Sequence, residues 1–356
     1  MSSEQTAAAG SRNSNLDILR ILAAFMVLMV HVGYAFPWIA DYTWTGYYGV
    51  TLFYSLSGYL SMVSMERSGS VIEFYKKRIL RIIPLYWSIL IISYILQLVT
   101  NLPKQGLSVF SLNGPCSVRY LRYFFFLNMF IPSDSFDIWN NMNGFWTMPA
   151  FVFFYLTVPL LYKLIRRFYA ALPVLVVLLF GRELFGKWLE DLLNRSVPRI
   201  DGADVFAQWM PLSVFYCFFL GVTVYYAVKD SQAFLFALLA VMSLIYNEFK
   251  WFAWDIAMAL LLLLAVTLPP LLKKEGRLKK GVQTFSAFSF ALYLTHIMTL
   301  EYVMRLKKVL VPIIRNKGFL LFAIAVCIGV GYVIWRFVAG PVERLFVRRK
   351  NSAVSG

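Results

Sequence analysis

The chain has 356 residues, of which 60% are hydrophobic and only 15% are charged. Soluble domains are about 45–50% apolar and about 25% charged, so this composition excludes an ordinary soluble globule. The 34 basic and 18 acidic side chains give a net charge of +16. In a membrane protein this excess reflects basic residues kept beside the cytoplasm and attracted to anionic lipids. We therefore expect membrane lipids, and no nucleic acid, as partners.

The apolar residues form blocks of about twenty, which is the length that crosses a bilayer as an α-helix. This pattern predicts an all-α fold, a polytopic membrane helix bundle with about ten transmembrane helices. The predicted spans lie near residues 16–36, 47–66, 82–100, 147–165, 169–185, 209–228, 232–247, 252–271, 286–305 and 318–339. The predicted domains are a cytoplasmic polar tail at 1–15, a membrane domain at 16–346 and a second cytoplasmic tail at 347–356.

The first span begins with LDILRILAAFMVLMVH, in which only Asp17, Arg20 and His31 are not apolar. Arg20 and His31 are about three helical turns apart, so they share one face and lie ~16 Å apart along the axis. A histidine suits general-base chemistry near neutral pH, although an interhelical hydrogen bond would also account for His31. Arg20 either serves the same chemistry or reaches the cytoplasmic interface.

Asp17 lies three residues before Arg20, a spacing at which the two side chains can pair on a helix. Asp17 is therefore expected to orient Arg20. The helix dipole also favours an acid in the first turn, and Asn15 or Ser14 is expected to cap the helix.

A second basic motif, FYKKRILRIIPLYW, places Arg78 and Arg81 three residues apart just before the third predicted span. Guanidinium groups are favoured ligands of phosphate, although anchoring at the cytoplasmic side would also explain both arginines. Pro84 then falls in the first turn of that span, where its missing N–H costs little. In the second span, the small residues around Gly58 are typical of closely packed membrane helices.

The cysteines and histidines indicate that disulfide and metal chemistry can be excluded, whereas an aromatic stretch allows two interpretations. Cys116, Cys217 and Cys327 lie far apart in the sequence and predict neither a disulfide framework nor a zinc site. The only two histidines are also distant in the sequence, so we expect no metal. An aromatic stretch at 120–126, in a predicted outer segment, suits either sugar stacking or a membrane-interface belt.

Together these segments resemble the acyltransferase-3 family of integral membrane acyltransferases. The similar segments, in chain order, are LDILRILAAFMVLMVH, FYSLSGYL, FYKKRILRIIPLYW, FWTMPAFVFFYLTVPLL, FALYLTH and GPVERLF. They extend from residue 16 to residue 346 and so cover nearly the whole chain.

The resemblance implies transfer of an acyl group, commonly acetyl from acetyl-CoA, to a hydroxyl of a surface glycan or lipid-linked saccharide. Acyl-CoA would be the donor substrate, and no cofactor would be bound. The resemblance also implies that His31 is catalytic and that Arg20, Arg78 and Arg81 bind the acyl donor. We therefore expect an O-acyltransferase, multi-pass in a bacterial-type cytoplasmic (plasma) membrane, with both termini cytoplasmic.

Two positions depart from the family pattern: Phe151 stands where the family has an acid, and no proline follows Glu343. His296 in FALYLTH, and Glu301 five residues later, are either further functional groups or part of the helix packing. A transporter or flippase for a sugar-linked lipid or small solute would also suit many helices with intramembrane charges. The paired halves and broken helices typical of such a protein are not visible in the sequence.

Overall fold

The computed structural model describes residues 13–111, 114, 116–118, 120–130, 143–196, 203–245 and 252–341. Over these ranges the chain forms helices and no strand, which confirms the predicted all-α fold. The longer helices are α1 Ser14–Ala35, α2 Tyr48–Glu66, α3 Val71–Gln105, α4 Thr147–Leu164, α5 Phe168–Ser196, α6 Phe215–Lys229, α7 Ala233–Ile245, α8 Ala253–Thr267, α9 Arg277–Arg305 and α10 Lys307–Ile334. Each of the ten predicted spans overlaps one of them. The predicted tail at 347–356 and most of that at 1–15 lie outside the described residues.

The helices form a polytopic membrane bundle. In the described part of the chain, six helices are long and apolar enough to cross a bilayer: α1, α3, α4, α5, α9 and α10. Three more, α6, α7 and α8, are shorter and apolar. Helix α2 has 19 residues and packs in the interior, where more than half of its residues are buried.

At one end of the bundle, the start of α1 lies against the end of α8, and the end of α2 lies against the end of α6. Asn15 Nδ2 donates a hydrogen bond to the carbonyl oxygen of Pro269 at 3.2 Å. Glu66 forms an ion pair with Lys229 at 2.6 Å. We call this the arginine end; its arginines are Arg20, Arg78 and Arg81.

At the opposite end, the end of α1 meets the starts of α2 and α8. The ring of Tyr34 lies 6.3 Å from that of Tyr47, and Trp254 stacks on Tyr48 with their ring centroids 5.6 Å apart. We call this the histidine end; its histidines are His31 and His296.

The start of α1 differs from the prediction. Asn13, not Asn15 or Ser14, caps the helix, because its Oδ1 accepts a hydrogen bond from the Asn15 amide at 2.9 Å. The two residues expected to cap α1 instead accept hydrogen bonds from the backbone of the segment that follows α8. Asn15 Oδ1 accepts from the amide of Leu271 at 2.8 Å, and Ser14 Oγ accepts from that of Leu272 at 3.2 Å.

Helix α3 starts eleven residues before the predicted span, at Val71. Ser70 caps it, since its Oγ accepts a hydrogen bond from the Glu73 amide at 3.2 Å. Pro84 therefore lies inside the helix, and its predicted place in a first turn is wrong. Helix α10 also starts early, at Lys307, and is interrupted at Arg315, where φ is 60° and ψ is 171°.

Helices α2 and α6 approach closely because each has a glycine at the contact. A Cβ added at Gly58 would overlap the carbonyl oxygen of Phe218, and one added at Gly221 would overlap that of Ser55. Ser55 Oγ also donates a hydrogen bond to the carbonyl oxygen of Cys217 at 2.9 Å. This confirms the close packing predicted from the small residues of the second span.

Candidate active site

Three arginines from two helices line one cavity at the arginine end. Arg20 comes from α1, and Arg78 and Arg81 come from α3. Hydroxyl and aromatic side chains complete the wall, among them Phe53, Ser57, Phe151, Tyr155, Ser289 and Phe290. The cavity is narrow, with about 60 Å³ of free space. Three permanent positive charges around one cavity suit an anion such as phosphate.

Asp17 fixes Arg20 at the cavity wall. The Asp17 carboxylate is fully buried, and its Oδ1 accepts hydrogen bonds from Arg20 Nη1 at 3.1 Å and from Ser286 Oγ at 2.7 Å. The predicted pairing of Asp17 with Arg20 is confirmed. Because Ser286 belongs to α9, the same carboxylate also ties α1 to α9.

The two arginines of α3 are held differently. Arg78 Nη2 donates a hydrogen bond to the carbonyl oxygen of Leu60 at 2.9 Å. Its guanidinium carbon lies 5.3 Å from the ring centroid of Phe74 and 5.2 Å from that of Tyr155. Arg81 is exposed, and no hydrogen bond or ion pair joins it to the described residues. Arg78 is thus fixed in place, whereas Arg81 is free to meet a ligand.

Phe151, at the position of the family acid, contributes an apolar surface to this cavity. It is only 4% exposed. Its ring centroid lies 5.1 Å from that of Tyr54, 5.3 Å from Phe218 and 6.3 Å from Phe290. The wall at this position is therefore an aromatic cluster and supplies no carboxylate.

The two histidines, far apart in the sequence, are in contact at the histidine end. The ring centroids of His31 on α1 and His296 on α9 are 4.9 Å apart. His296 Nδ1 lies 2.6 Å from the carbonyl oxygen of Tyr293. Since a carbonyl only accepts, Nδ1 carries the proton and Nε2 has the lone pair. His296 Nε2 is buried and has no hydrogen-bond partner among the described residues.

Aromatic rings fill the interior between the arginine cavity and the histidines. The Tyr293 ring centroid lies 6.0 Å from that of His296, 5.1 Å from Phe53 and 6.3 Å from Phe290. Phe53 and Phe290 both line the cavity. The Tyr293 hydroxyl donates a hydrogen bond to Thr147 Oγ1 at 2.8 Å. Sequence reasoning did not assign Tyr293 to the site, although it lies in FALYLTH beside His296.

Two other predicted groups lie outside this arrangement. Glu301 forms an ion pair with Arg305 at 2.8 Å. It follows His296 by five residues, about 140° around the helix, and so occupies a different face of α9. In the aromatic stretch at 120–126, Tyr120 and Tyr123 are buried, so these two rings pack inward and present no platform to a sugar.

A buried acid that sequence reasoning missed joins three helices near the histidine end. Asp255 on α8 is 4% exposed. Its Oδ1 accepts a hydrogen bond from Thr51 Oγ1 on α2 at 2.6 Å, and its Oδ2 accepts one from the Tyr216 hydroxyl on α6 at 2.7 Å. The signal that could have found it is a lone carboxylate inside an apolar block.

These features define a polytopic all-α membrane protein with an arginine-lined cavity at one end and a pair of histidines in contact at the other. The sequence matches the acyltransferase-3 family model, described as an acyltransferase domain, over residues 13–336. The chain belongs to the acyltransferase-3 family of membrane acyltransferases, as its motifs predict.

Two curated proteins illustrate the similarity. Nodulation protein 10 of Rhizobium leguminosarum bv. viciae is 28% identical over 207 residues, which are 51% of this chain and 51% of that protein. An O-acetyl transferase of Shigella phage Sf6 is 36% identical over 89 residues, 24% of this chain and 27% of that enzyme. The chain thus spans about half the length, or less, of these relatives. No solved structure matches it.

Proposed function

We propose that the protein is an O-acyltransferase that moves an acyl group, acetyl in the simplest case, from acyl-CoA to a hydroxyl of a surface glycan or lipid-linked saccharide. The observation that best supports this proposal is that one helix, α1, contributes to both the arginine-lined cavity and the histidine pair, through Arg20 and His31 respectively. The phage relative named an O-acetyl transferase supports acetyl as the group and oxygen as the acceptor atom.

The arginine cavity would bind the phosphates of the donor. Arg81 is exposed and without a partner among the described residues, so it can form new charge-assisted hydrogen bonds. Arg20 and Arg78 would add fixed positive charge. From this cavity the acyl-bearing arm would extend along α1 over the ~16 Å between Arg20 and His31. Because about 60 Å³ is free, the rings of Phe53 and Tyr293 must move to admit it.

His31 would act as the general base. It takes the proton of the acceptor hydroxyl while that oxygen attacks the thioester carbonyl, and an ester C–O bond forms as the C–S bond breaks. The proton then passes from His31 to the departing thiolate, so coenzyme A leaves as the free thiol. Positioned general-base catalysis contributes about 10²–10⁴ in rate. Two-step transfer through an acyl-histidine is an alternative order of the same steps.

His296 would position His31. Its Nδ1 donates to the Tyr293 carbonyl oxygen, so the tautomer is fixed and the lone pair of Nε2 is available to a proton on the neighbouring ring. A hydrogen bond of this kind orients a catalytic imidazole and stabilises its protonated form. We therefore assign His296 as a positioning residue and Glu301 as a residue of the helix packing.

The proposed location is a bacterial plasma membrane, with the arginine end and both termini in the cytoplasm, where acyl-CoA is made. Cysteine labelling tests this orientation, because the three native cysteines are buried free thiols. Tyr42, 85% exposed at the histidine end, and Gly69, exposed at the arginine end, provide a matched pair. In intact cells an impermeant thiol reagent should label Tyr42→Cys and spare Gly69→Cys; the reverse pattern would overturn the proposed orientation.

The function itself is tested by mass spectrometry of surface glycans from cells producing the wild-type protein or His31→Gln. We expect an ester of defined mass with the wild-type protein and its loss in the variant, at equal amounts of membrane protein. Glycans identical in mass, together with movement of a sugar-linked lipid that depends on the protein, would support a flippase instead.

A further inference from the structure

A second cavity, with about 350 Å³ of free space, lies between the polar second half of α5 and the short helix Ala203–Trp209. Ligand pockets for small molecules are about 300–1,000 Å³. The polar side chains that line it are those of Arg182, Glu183, Lys187, Glu190, Gln208 and Ser213. Nothing in the proposed donor site or histidine chemistry uses this cavity.

The charges of this cavity balance. Two basic groups, Arg182 and Lys187, face the same space as two acidic groups, Glu183 and Glu190. Arg182 Nη1 and Glu183 Oε1 are 3.7 Å apart. A polyanion would be repelled by the two carboxylates, and a polycation would be repelled by the two basic groups. An uncharged ligand rich in hydroxyls can instead accept hydrogen bonds from one pair and donate them to the other, so the lining suits a sugar.

Arg182 packs against two aromatic rings at the cavity wall. Its guanidinium carbon lies 5.3 Å from the ring centroid of Tyr216 and 5.6 Å from that of Phe252. Tyr216 is in turn fixed by its hydrogen bond to the buried Asp255 carboxylate, which also binds Thr51. This network gives the buried acid a role: it supports one wall of the second cavity through a packed aromatic ring.

A series of aromatic rings, of which Tyr34, Tyr47 and Trp254 are exposed and Phe252 is buried, runs from the histidine pair toward this cavity. The ring of Tyr34, 63% exposed, lies 5.9 Å from His31 and 6.3 Å from Tyr47. The next residue, Tyr48, stacks on Trp254, two residues beyond the Phe252 that packs on Arg182. Tyrosine and tryptophan combine an apolar face with a polar edge, which suits the faces and hydroxyls of sugar rings.

We propose that the second cavity is an acceptor subsite for a sugar unit remote from the acylated hydroxyl, so that the preferred acceptor is an oligosaccharide of several units. The aromatic rings would support the units between the cavity and His31. This inference rests on the proposed function and adds the size of the acceptor to it.

Glycine substitution in α5 provides a matched test. A Cβ at Gly186, which lines the cavity, or at Gly181, which is not among its lining residues, would meet nothing within 4 Å. Gly186→Trp therefore fills the cavity, and Gly181→Trp is the control on the same helix. The assay follows acetyl transfer from acetyl-CoA, by the full chain in lipid nanodiscs, to fragments of the cell's own surface glycan, graded from one sugar unit upward.

We expect Gly186→Trp to raise the acceptor concentration at half-maximal rate about tenfold for long fragments, equivalent to about 1.4 kcal/mol. The value for a single sugar unit and the acetyl-CoA dependence should not change, and Gly181→Trp should match the wild-type protein. Lys187→Ala combined with Glu190→Gln should repeat this pattern if Gly186→Trp does not fold. Equal effects on short and long fragments, or no effect, would overturn the subsite alone. A wild-type protein that acetylates no fragment would overturn the proposed function itself.

Discussion

The two ends of the bundle present ionisable side chains in opposite ways. At the arginine end, Arg20, Arg78 and Arg81 surround a cavity, and Arg81 is exposed. At the histidine end, His296 is 1% exposed and its ring packs against His31 among aromatic side chains. Permanent charges lie where a polyanionic ligand can reach them, whereas the two groups suited to moving a proton pack against each other, His31 half-buried and His296 buried. In the proposed function, the donor would bind at one end and the chemical step would take place at the other.

The largest effect is expected from His31→Gln. Glutamine keeps a hydrogen-bonding side chain but cannot take a proton near neutral pH, so the rate of acyl transfer should fall by about 10²–10⁴. The measurement is turnover of acetyl-CoA by protein purified in detergent, normalised to folded protein by size-exclusion chromatography.

The matched control is His296→Gln. Its amide can still donate a hydrogen bond to the Tyr293 carbonyl oxygen, so the loss of turnover should be smaller than for His31→Gln. Equal turnover by His31→Gln and the wild-type protein would remove the general-base role, and a larger loss at His296 would exchange the two roles.

The next effect separates the two arginines of α3. Lysine keeps the charge but lacks the planar guanidinium that packs between two rings and binds phosphate in two places. Arg78→Lys should therefore lower both thermal stability and donor affinity, because Arg78 packs on Phe74 and Tyr155. Arg81→Lys should lower donor affinity alone. Unchanged melting of Arg78→Lys would show that its ring contacts contribute nothing to the fold.

A moderate effect on stability is expected at the contact between α2 and α6. Gly221→Ala should destabilise the bundle by about 1–3 kcal/mol, because the added methyl overlaps the carbonyl oxygen of Ser55. Gly329→Ala on α10 is the control, since a Cβ there meets nothing within 4 Å. Thermal unfolding in detergent should separate the two variants. Equal melting temperatures would mean that the two helices can move apart without cost.

The smallest effect is expected at Phe151. Phe151→Leu keeps an apolar wall between the aromatic rings, so turnover should stay within a few-fold of the wild-type value and the stability loss should be about 1 kcal/mol. Acetyl-CoA turnover and melting temperature measure both. A loss of turnover as large as that of His31→Gln would show that the ring itself takes part in the reaction.

The sequence predicts the helices well and their ends poorly. Blocks of about twenty apolar residues locate each helix, because the bilayer imposes that length. The helix boundaries depend on capping residues such as Asn13 and Ser70. Each cap is one of several polar residues in its segment, so the sequence alone does not single it out. The span pattern also stops where charges begin, so it misses that α5 continues through charged residues to Ser196.

The sequence predicts individual residues of the candidate site, but it does not predict how these residues are arranged in space. Spacing on one helix relates Arg20 to Asp17 and to His31, since helical geometry fixes such distances. No local pattern relates His31 to His296, which are in contact, or Arg20 to Arg78, which line one cavity, because both arrangements depend on how distant helices pack. The sequence could not predict the second cavity for the same reason, since this cavity forms between two separate helices.

Equilibrium binding of acetyl-CoA to purified wild-type protein, His31→Gln and Arg81→Ala tests the division between the two ends most directly. A hydrogen bond to a charged group contributes about 1.5–3 kcal/mol. Arg81→Ala should therefore weaken binding about 10- to 100-fold, while His31→Gln should bind acetyl-CoA as the wild-type protein does and yet fail to transfer the acetyl group. Wild-type affinity in Arg81→Ala, or a loss of affinity in His31→Gln as large as that expected for Arg81→Ala, would contradict the separation of donor binding from chemistry.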